Sequence, residues 1–252
     1  MPMTTSWEEV SSWYDKIVGS SGHYFHEHII LPRLLDLFAF DRKGDHSLLD
    51  LGCGSGVLGN HLPPHVNYFG VDISKGMIEK AKRNKRGKFK VQDVSAPLDL
   101  EQKEFSHITL ILSLQNMKSP YAVLTNAKKY LSKNGSIFIV LNHPCFRIPR
   151  QTSWGIDEEK KIQYRRIDRY LSPLEIPIAM HPGSGAKSEE TLSYHYPVST
   201  YINMLGELGL GVVKAEEWAS DKESFGKLAK MENRARSEFP LFLLLVAKHL
   251  SA

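Results

Sequence analysis

Cysteine is scarce in this chain: its 252 residues hold two, Cys53 and Cys145. Two thiols cannot make a disulfide framework, and their scarcity suits a reducing compartment. Long apolar runs are missing as well. The longest plain one, Leu241 to Ala247, is far shorter than the roughly 20 residues of a membrane-crossing helix. The stretch from Met1 to Tyr14 is polar and has no apolar core of the kind a secretion signal carries. Nor is there a surplus of one charge: 32 Lys and Arg against 28 Asp and Glu leave a net +4, too little to imply a nucleic-acid partner. No internal repeat or low-complexity tract is visible. What remains, with 42% hydrophobic and 24% charged residues, is enough to bury one core. The expectation is a single globular domain over residues 1–252, cytoplasmic and without a membrane partner.

The most informative stretch is Leu48-Leu49-Asp50-Leu51-Gly52-Cys53-Gly54-Ser55-Gly56. It reads as a buried strand, a tight turn and, from Val57-Leu58, a helix start. Glycine at such a turn allows φ > 0 and lets the backbone approach a ligand. The helix N-terminus adds unpaired N–H groups and a positive dipole end. A dinucleotide fingerprint would place the third glycine at position 57, which is Val; here it stands at 56. Tyr68-Phe69-Gly70-Val71-Asp72 then reads as a second strand closing on an acid. A carboxylate there can accept hydrogen bonds from both hydroxyls of a ribose. An amphipathic helix opens at Ile73-Ser74, and a third strand, Lys88 to Gln92, ends at Asp93-Val94.

This Asp-x-Gly-x-Gly-x-Gly turn, followed by acids at the next two strand ends, resembles the cofactor motif of class I S-adenosylmethionine (SAM)-dependent methyltransferases. The resemblance implies an α/β doubly wound fold with a seven-stranded, mostly parallel sheet, and SAM as cofactor. It places Asp50, Gly52, Gly54 and Gly56 at the donor turn, Asp72 on the ribose, and Ile73 against the adenine. Asp93 would bond the adenine amino group, the Val94 N–H the ring, and Ser113 would complete the set. The remaining elements fit. A fourth strand covers His107 to Leu112, a helix runs through Ala122 and Leu131 to a stop at Asn134-Gly135, and a fifth strand covers Ser136 to Leu141. A late helix spans Val198 to Leu208. Sixth and seventh strands, near Gly211 to Ala215 and Leu241 to Ala247, are expected to form the family's reversed edge hairpin. Two departures stand out. Phe105-Ser106 replaces a common Phe-Asp, and Ser113-Leu114-Gln115-Asn116 replaces the Asn/Asp-Pro-Pro-Tyr motif of exocyclic-amine enzymes, which disfavours adenine or a glutamine amide as acceptor.

Two segments lie outside the minimal sheet of residues 41–142 and 198–252. One is an N-terminal arm over residues 1–40, carrying Trp13-Tyr14 and the stretch from Ser20 to His28. The other is an insertion over residues 143–197, after strand five, expected to cap the carboxyl ends of the strands where ligands bind in open α/β sheets. The candidate acceptor site draws on both. Arg147 and Arg150 suit a substrate carboxylate, because a guanidinium binds it bidentately; their alternative is pairing with Asp157, Glu158 or Glu159. Tyr24 and Tyr196 are candidates for orienting the acceptor. His195 and His143 are candidate proton acceptors, His195 being favoured for its place at the cap's hinge; the alternative for each is a histidine satisfied within the fold. His26 and His28, two apart, point to different sides of a helix, so no metal is expected. The basic run Lys80, Lys82, Arg83, Lys85, Arg86, Lys88 and Lys90 reads as solvated surface. The expected activity is methyl transfer from SAM to a small-molecule acceptor, at oxygen with histidine assistance. The rivals are an RNA or protein methyltransferase using the basic face and a non-catalytic SAM-binding protein; nucleic acid is not expected as a partner.

Overall fold

The computed structural model describes residues 23–40, 44–179 and 190–250; Trp13, Tyr14 and the stretch 20–22 lie outside them. Along the chain, a π-helical turn (His26–Ile30) leads into α1 (Leu31–Phe38) and β1 (Ser47–Leu51), followed by α2 (Val57–His61), β2 (Asn67–Asp72), α3 (Lys75–Arg83) and β3 (Lys88–Val91). Then come β4 (Phe105–Ile111), a 3-10 turn (Leu114–Asn116), α4 (Pro120–Tyr130) and β5 (Leu131–Asn142). The insertion holds β6 (Thr152–Asp157), β7 (Ile162–Ile167), β8 (Leu174–Ala179) and β9 (Glu190–His195). The chain closes with α5 (Val198–Glu207), β10 (Leu210–Trp218), α6 (Ala229–Glu238) and β11 (Phe242–His249).

Seven strands make one sheet in the order β10-β11-β5-β4-β1-β2-β3. All neighbours among β1 to β5 run parallel, and β11 runs antiparallel to both β5 and β10. This is the doubly wound sheet with a reversed edge hairpin that the sequence implies. Successive side chains of a strand face opposite sides, so each strand feeds two cores. Leu49, Leu51, Val71 and Leu110 pack with α4 and α5. Leu48, Tyr68, Val140 and Leu244 pack with α1 and α2. Local chemistry sets the helix starts: Ser74 Oγ accepts the Met77 N–H at 3.2 Å as the cap of α3, and Pro120 opens α4.

Three elements differ from expectation. The helix before β5 stops at Tyr130 rather than at Asn134-Gly135, because Leu131 is already extended and paired with Phe105, and its side chain is buried. Helix α6 has no counterpart in the sequence reading; with Ala235 its one buried residue, it lacks an apolar stripe. The insertion is two separate hairpins. β6 pairs β7, and β7 lies against α6; β8 pairs β9, and β9 packs on the 3-10 turn after β4. No helix among the described residues is long and apolar enough to cross a membrane.

Candidate active site

The turn after β1 is tied to the end of β2. Gly52 and Cys53 both donate their N–H groups to the Val71 carbonyl, at 2.8 and 3.1 Å. Asp72, the last residue of β2, accepts from the Gly54 N–H at 2.8 Å and from the Ser74 N–H at 2.9 Å, one on each carboxylate oxygen. Gly52 has φ +76°, and a Cβ there would come within 2.6 Å of Ser113 Cβ and 2.9 Å of Met117 Cε. Only glycine fits that position. Ser113 is fixed in turn, its hydroxyl donating to the Leu51 carbonyl at 2.8 Å.

These residues border a cavity of about 310 Å³ at the carboxyl edge of the sheet, at the lower end of the range for small-molecule sites. Of the residues expected to hold a cofactor, Gly52, Gly54, Asp72, Ile73, Asp93, Val94 and Ser113 all line it. Asp93 is set by Ser95, whose N–H and hydroxyl donate to Oδ1 at 2.8 and 2.7 Å. Met77, Leu112, Asn116 and Met117 add walls that the motif reading did not name. Leu112 takes φ +51° at the end of β4, a conformation that costs a non-glycine residue roughly 1–2 kcal/mol and tends to sit at functional sites.

Two of the nine expected cofactor residues do not line it. Asp50 shares the face of β1 with Leu48, not the strand tip, and lies 3% exposed under the turn. Its oxygens accept from Tyr68 and Thr109 hydroxyls, both at 2.8 Å, and burial pushes its pKa up to about 6. It lines a separate, smaller cavity of about 60 Å³ with Cys53, Ser55 and His26. Gly56 lines neither; it caps α2 at φ +75° with Phe89 and Ala81 packed against it. His26 was weighed in the sequence only as a metal ligand. Its Nδ1 is buried with no partner, and burial, followed by the charge of His23, lowers its pKa to about 4. The signal lay in its place at the start of an apolar helix leading into the first strand.

A third cavity, about 20 Å³, lies where the strand ends meet the insertion, lined by Gln115, Asn142, Arg147, His195, Tyr196 and their neighbours. His195 donates from Nε2 to the Tyr170 carbonyl at 2.7 Å, which leaves Nδ1 as the unprotonated nitrogen. Burial lowers its pKa, and the bond to the carbonyl opposes that. Gln115, also unforeseen, is a buried amide whose Oε1 has no partner among the described residues. It occupies the place where a strand-four motif would have marked it.

Three expectations for this region fail on geometry. His143 is 1% exposed and lines none of these cavities; its Nδ1 accepts the Cys145 N–H at 3.1 Å, and its Nε2 donates to Glu217 at 2.7 Å. Both ring nitrogens are committed, so no lone pair is left for a substrate proton. Arg150 is exposed at φ +58° outside the cavity, because the chain turns there. Tyr24 bonds Asp221 at 3.1 Å and stacks on His28, which turns it away from the cavity. Three members of the basic run are engaged locally: Arg86 donates to the Gly59, Leu62 and Pro63 carbonyls, while Lys88 and Lys90 pair with Glu101 and Asp99.

A parallel sheet with a reversed edge, a glycine turn locked to an acid at the second strand end, and a cavity beyond both define a class I methyltransferase. The family model described as a methyltransferase domain matches residues 23–215, most of the chain. The chain belongs to this family. No curated protein matches it by sequence. Among solved structures it is similar to an S-adenosylmethionine dependent methyltransferase from Mesorhizobium loti, with 23% identity, a TM-score of 0.65 and coverage of 86% of this chain and 96% of that one. One from Clostridium acetobutylicum gives 18% identity, a TM-score of 0.61 and coverage of 97% and 99%. The CcbJ methyltransferase of Streptomyces caelestis gives 14%, 0.61, and 98% and 99%. At these identities the likeness is one of fold.

Proposed function

We propose that the chain transfers a methyl group from SAM to the oxygen of a small molecule, with His195 taking the acceptor's proton. The observation that carries the donor assignment is the Asp72 carboxylate, held between the Gly54 and Ser74 N–H groups at the mouth of the 310 Å³ cavity. A nucleoside fits it. Asp72 would hold the ribose hydroxyls, and Ile73, Val94 and Leu112 supply flat apolar contact for a base whose amino group meets Asp93. The unpartnered His26 Nδ1, across the glycine turn in the 60 Å³ cavity, suits the aminoacyl end. When bound, SAM supplies a methyl carbon on a positive sulfur, and its carbon–sulfur bond breaks with the electron pair staying on a neutral sulfur.

No acid is then needed for the leaving group, and alignment can supply ~7–11 kcal/mol of barrier lowering in favourable cases. An oxygen nucleophile must still lose its proton. His195 is kept neutral by burial, and its Nδ1 lone pair is left over in the cap cavity, so it can serve as the base. The fold likeness to SAM-dependent enzymes supports the donor, and the small size of the cavity of about 20 Å³ beside His195 supports a small acceptor over a polymer. The test is a transfer assay with methyl-labelled SAM and a protein-free metabolite extract, run with wild type and His195→Gln. Label should move to a small O-methylated product, with the variant slowed roughly 100-fold or more. Equal rates and pH profiles would remove His195 from the role, and a labelled N-methyl product would remove the oxygen assignment.

A further inference from the structure

We propose that the acceptor is a small carboxylate, its anionic group held by Arg147 and the group that receives the methyl oriented by the side-chain carbonyl of Gln115. The inference rests on the methyltransferase reading and names the chemistry its acceptor must carry. Arg147 is a largely buried cation with no carboxylate partner among the described residues. Burial, and secondarily the charge of Arg165, lower its pKa to about 10. Its Nη1 reaches the Leu241 carbonyl at 3.5 Å, the outer limit of a hydrogen bond, and its Cζ lies 5.1 Å from the centre of the Phe242 ring. No carboxylate lies within ion-pair distance of it among the described residues. The acids of this region are engaged elsewhere: Asp157 with Lys160, Asp168 with Arg166, and Glu217 with His143. A guanidinium carries five N–H donors in a fork matched to a carboxylate. Leaving them unused in a buried site is unfavourable unless a ligand takes them.

The surroundings favour the same charge. Arg147 and Lys222 both act on His23, lowering its pKa after the effect of burial, and Arg165 stands nearby. Three cations thus gather at this end of the site, where Glu217 is bonded to His143 and Asp221 to Tyr24. Gln115 makes the second, independent point. It is 8% exposed, its Oε1 has no partner, and it lines the same cavity as Arg147 and His195. A carbonyl oxygen accepts only, and an ionised carboxylate has no hydrogen to give. The group that meets Gln115 is therefore an O–H or N–H, distinct from the one on Arg147. Gln115 also sits between Ser113 and Asn116, both on the wall of the donor cavity. The same turn thus borders the donor cavity through Ser113 and Asn116 and the acceptor cavity through Gln115. The cavity of about 20 Å³ has room for one small polar group, so it receives the group that meets Gln115 and the rest of the acceptor extends out of it.

The test uses the full chain with methyl-labelled SAM and a protein-free extract of small metabolites. The labelled product should be retained on anion exchange at pH 7, and retention should survive phosphatase but disappear after carbodiimide coupling to a neutral amine. Acetate and benzoate should inhibit transfer, while acetamide and benzamide should not. Arg147→Met should raise the acceptor KM roughly tenfold or more, with partial recovery in Arg147→Lys. Gln115→Leu should lower kcat while leaving inhibition by acetate in place. S-adenosylhomocysteine affinity, read by calorimetry, should be unchanged in all three variants, which separates a lost acceptor contact from a damaged fold. A labelled product that is neutral, cationic or a phosphate overturns the inference and leaves the methyltransferase reading standing, as does wild-type KM in Arg147→Met. No labelled product at all, from protein that binds S-adenosylhomocysteine, overturns both.

Discussion

Replacing Asp72 by Asn changes one atom type and removes one charge, yet two backbone groups depend on it. Its two oxygens each accept a different N–H, from Gly54 and from Ser74. An amide offers one oxygen and one NH2, so in either orientation one of those donors faces another donor. The loss of one bond to a charged acceptor is worth about 1.5–3 kcal/mol. Asp72 is only partly buried, so water can compensate the ligand-free protein, and its stability should fall by about 1 kcal/mol, roughly 2–4 °C in melting temperature. The liganded state has no such recourse. There the carboxylate is asked to accept ribose hydroxyls as well, and S-adenosylhomocysteine affinity should drop roughly 10- to 140-fold. Calorimetry on the purified variant gives the affinity, and thermal unfolding without ligand gives the stability. Binding within about threefold of wild type, from a variant that melts normally, would refute the role of Asp72.

His26→Ala should weaken S-adenosylhomocysteine roughly tenfold and leave 5′-methylthioadenosine, which has no aminoacyl end, unaffected; equal losses for both ligands would place His26 elsewhere. Acid should destabilise the fold between about pH 6.5 and 4, because His26 and His107, with pKa values of about 4 in the folded state, bind protons more readily when unfolded. Each loses about 2 kcal/mol by pH 5. Asp50, whose folded value of about 6 lies above its unfolded one, binds its proton in the folded state first and returns roughly 1.3 kcal/mol over the same range. Urea unfolding across that range should therefore show a net fall, reduced in His107→Phe. His143→Gln should lower stability by about 1–3 kcal/mol, through the lost Cys145 and Glu217 contacts, with the pH profile of turnover unchanged; a shifted profile would return it to the chemistry.

The sheet was legible because its signals are local. A glycine turn, apolar strands and acids at strand ends leave their marks within a few residues, and all fell in register. The same marks leave the burial of Asp50 unread, since a run of leucines on both sides of it hides which face of the strand it occupies. Helix α6 escaped for the opposite reason: Lys230, Glu232, Arg234 and Arg236 leave no apolar face to read. The acceptor residues were harder still. Nothing in the spacing of Arg147 and Arg150 says that one is buried and the other exposed, and nothing near His143 announces Glu217, 74 residues away. Gln115 is conspicuous only by what fails to touch it, which is a property of packing and not of pattern.

The 3-10 turn at Leu114–Asn116 is a partition with two tenants. Asn116 faces the larger cavity and Gln115 the smaller, and the whole is one turn long, pinned by the Ser113 hydroxyl to β1 and by the Asn116 amide to the Leu112 carbonyl. A wall that thin cannot be remodelled on one side alone. Substitutions here that would suit a new acceptor will disturb the larger cavity as well, so a change of acceptor preference has its easier route through β9 and the residues around Arg147, which line the smaller cavity and not the larger. Divergence among relatives of this chain should accordingly concentrate in the insertion, while the partition changes little.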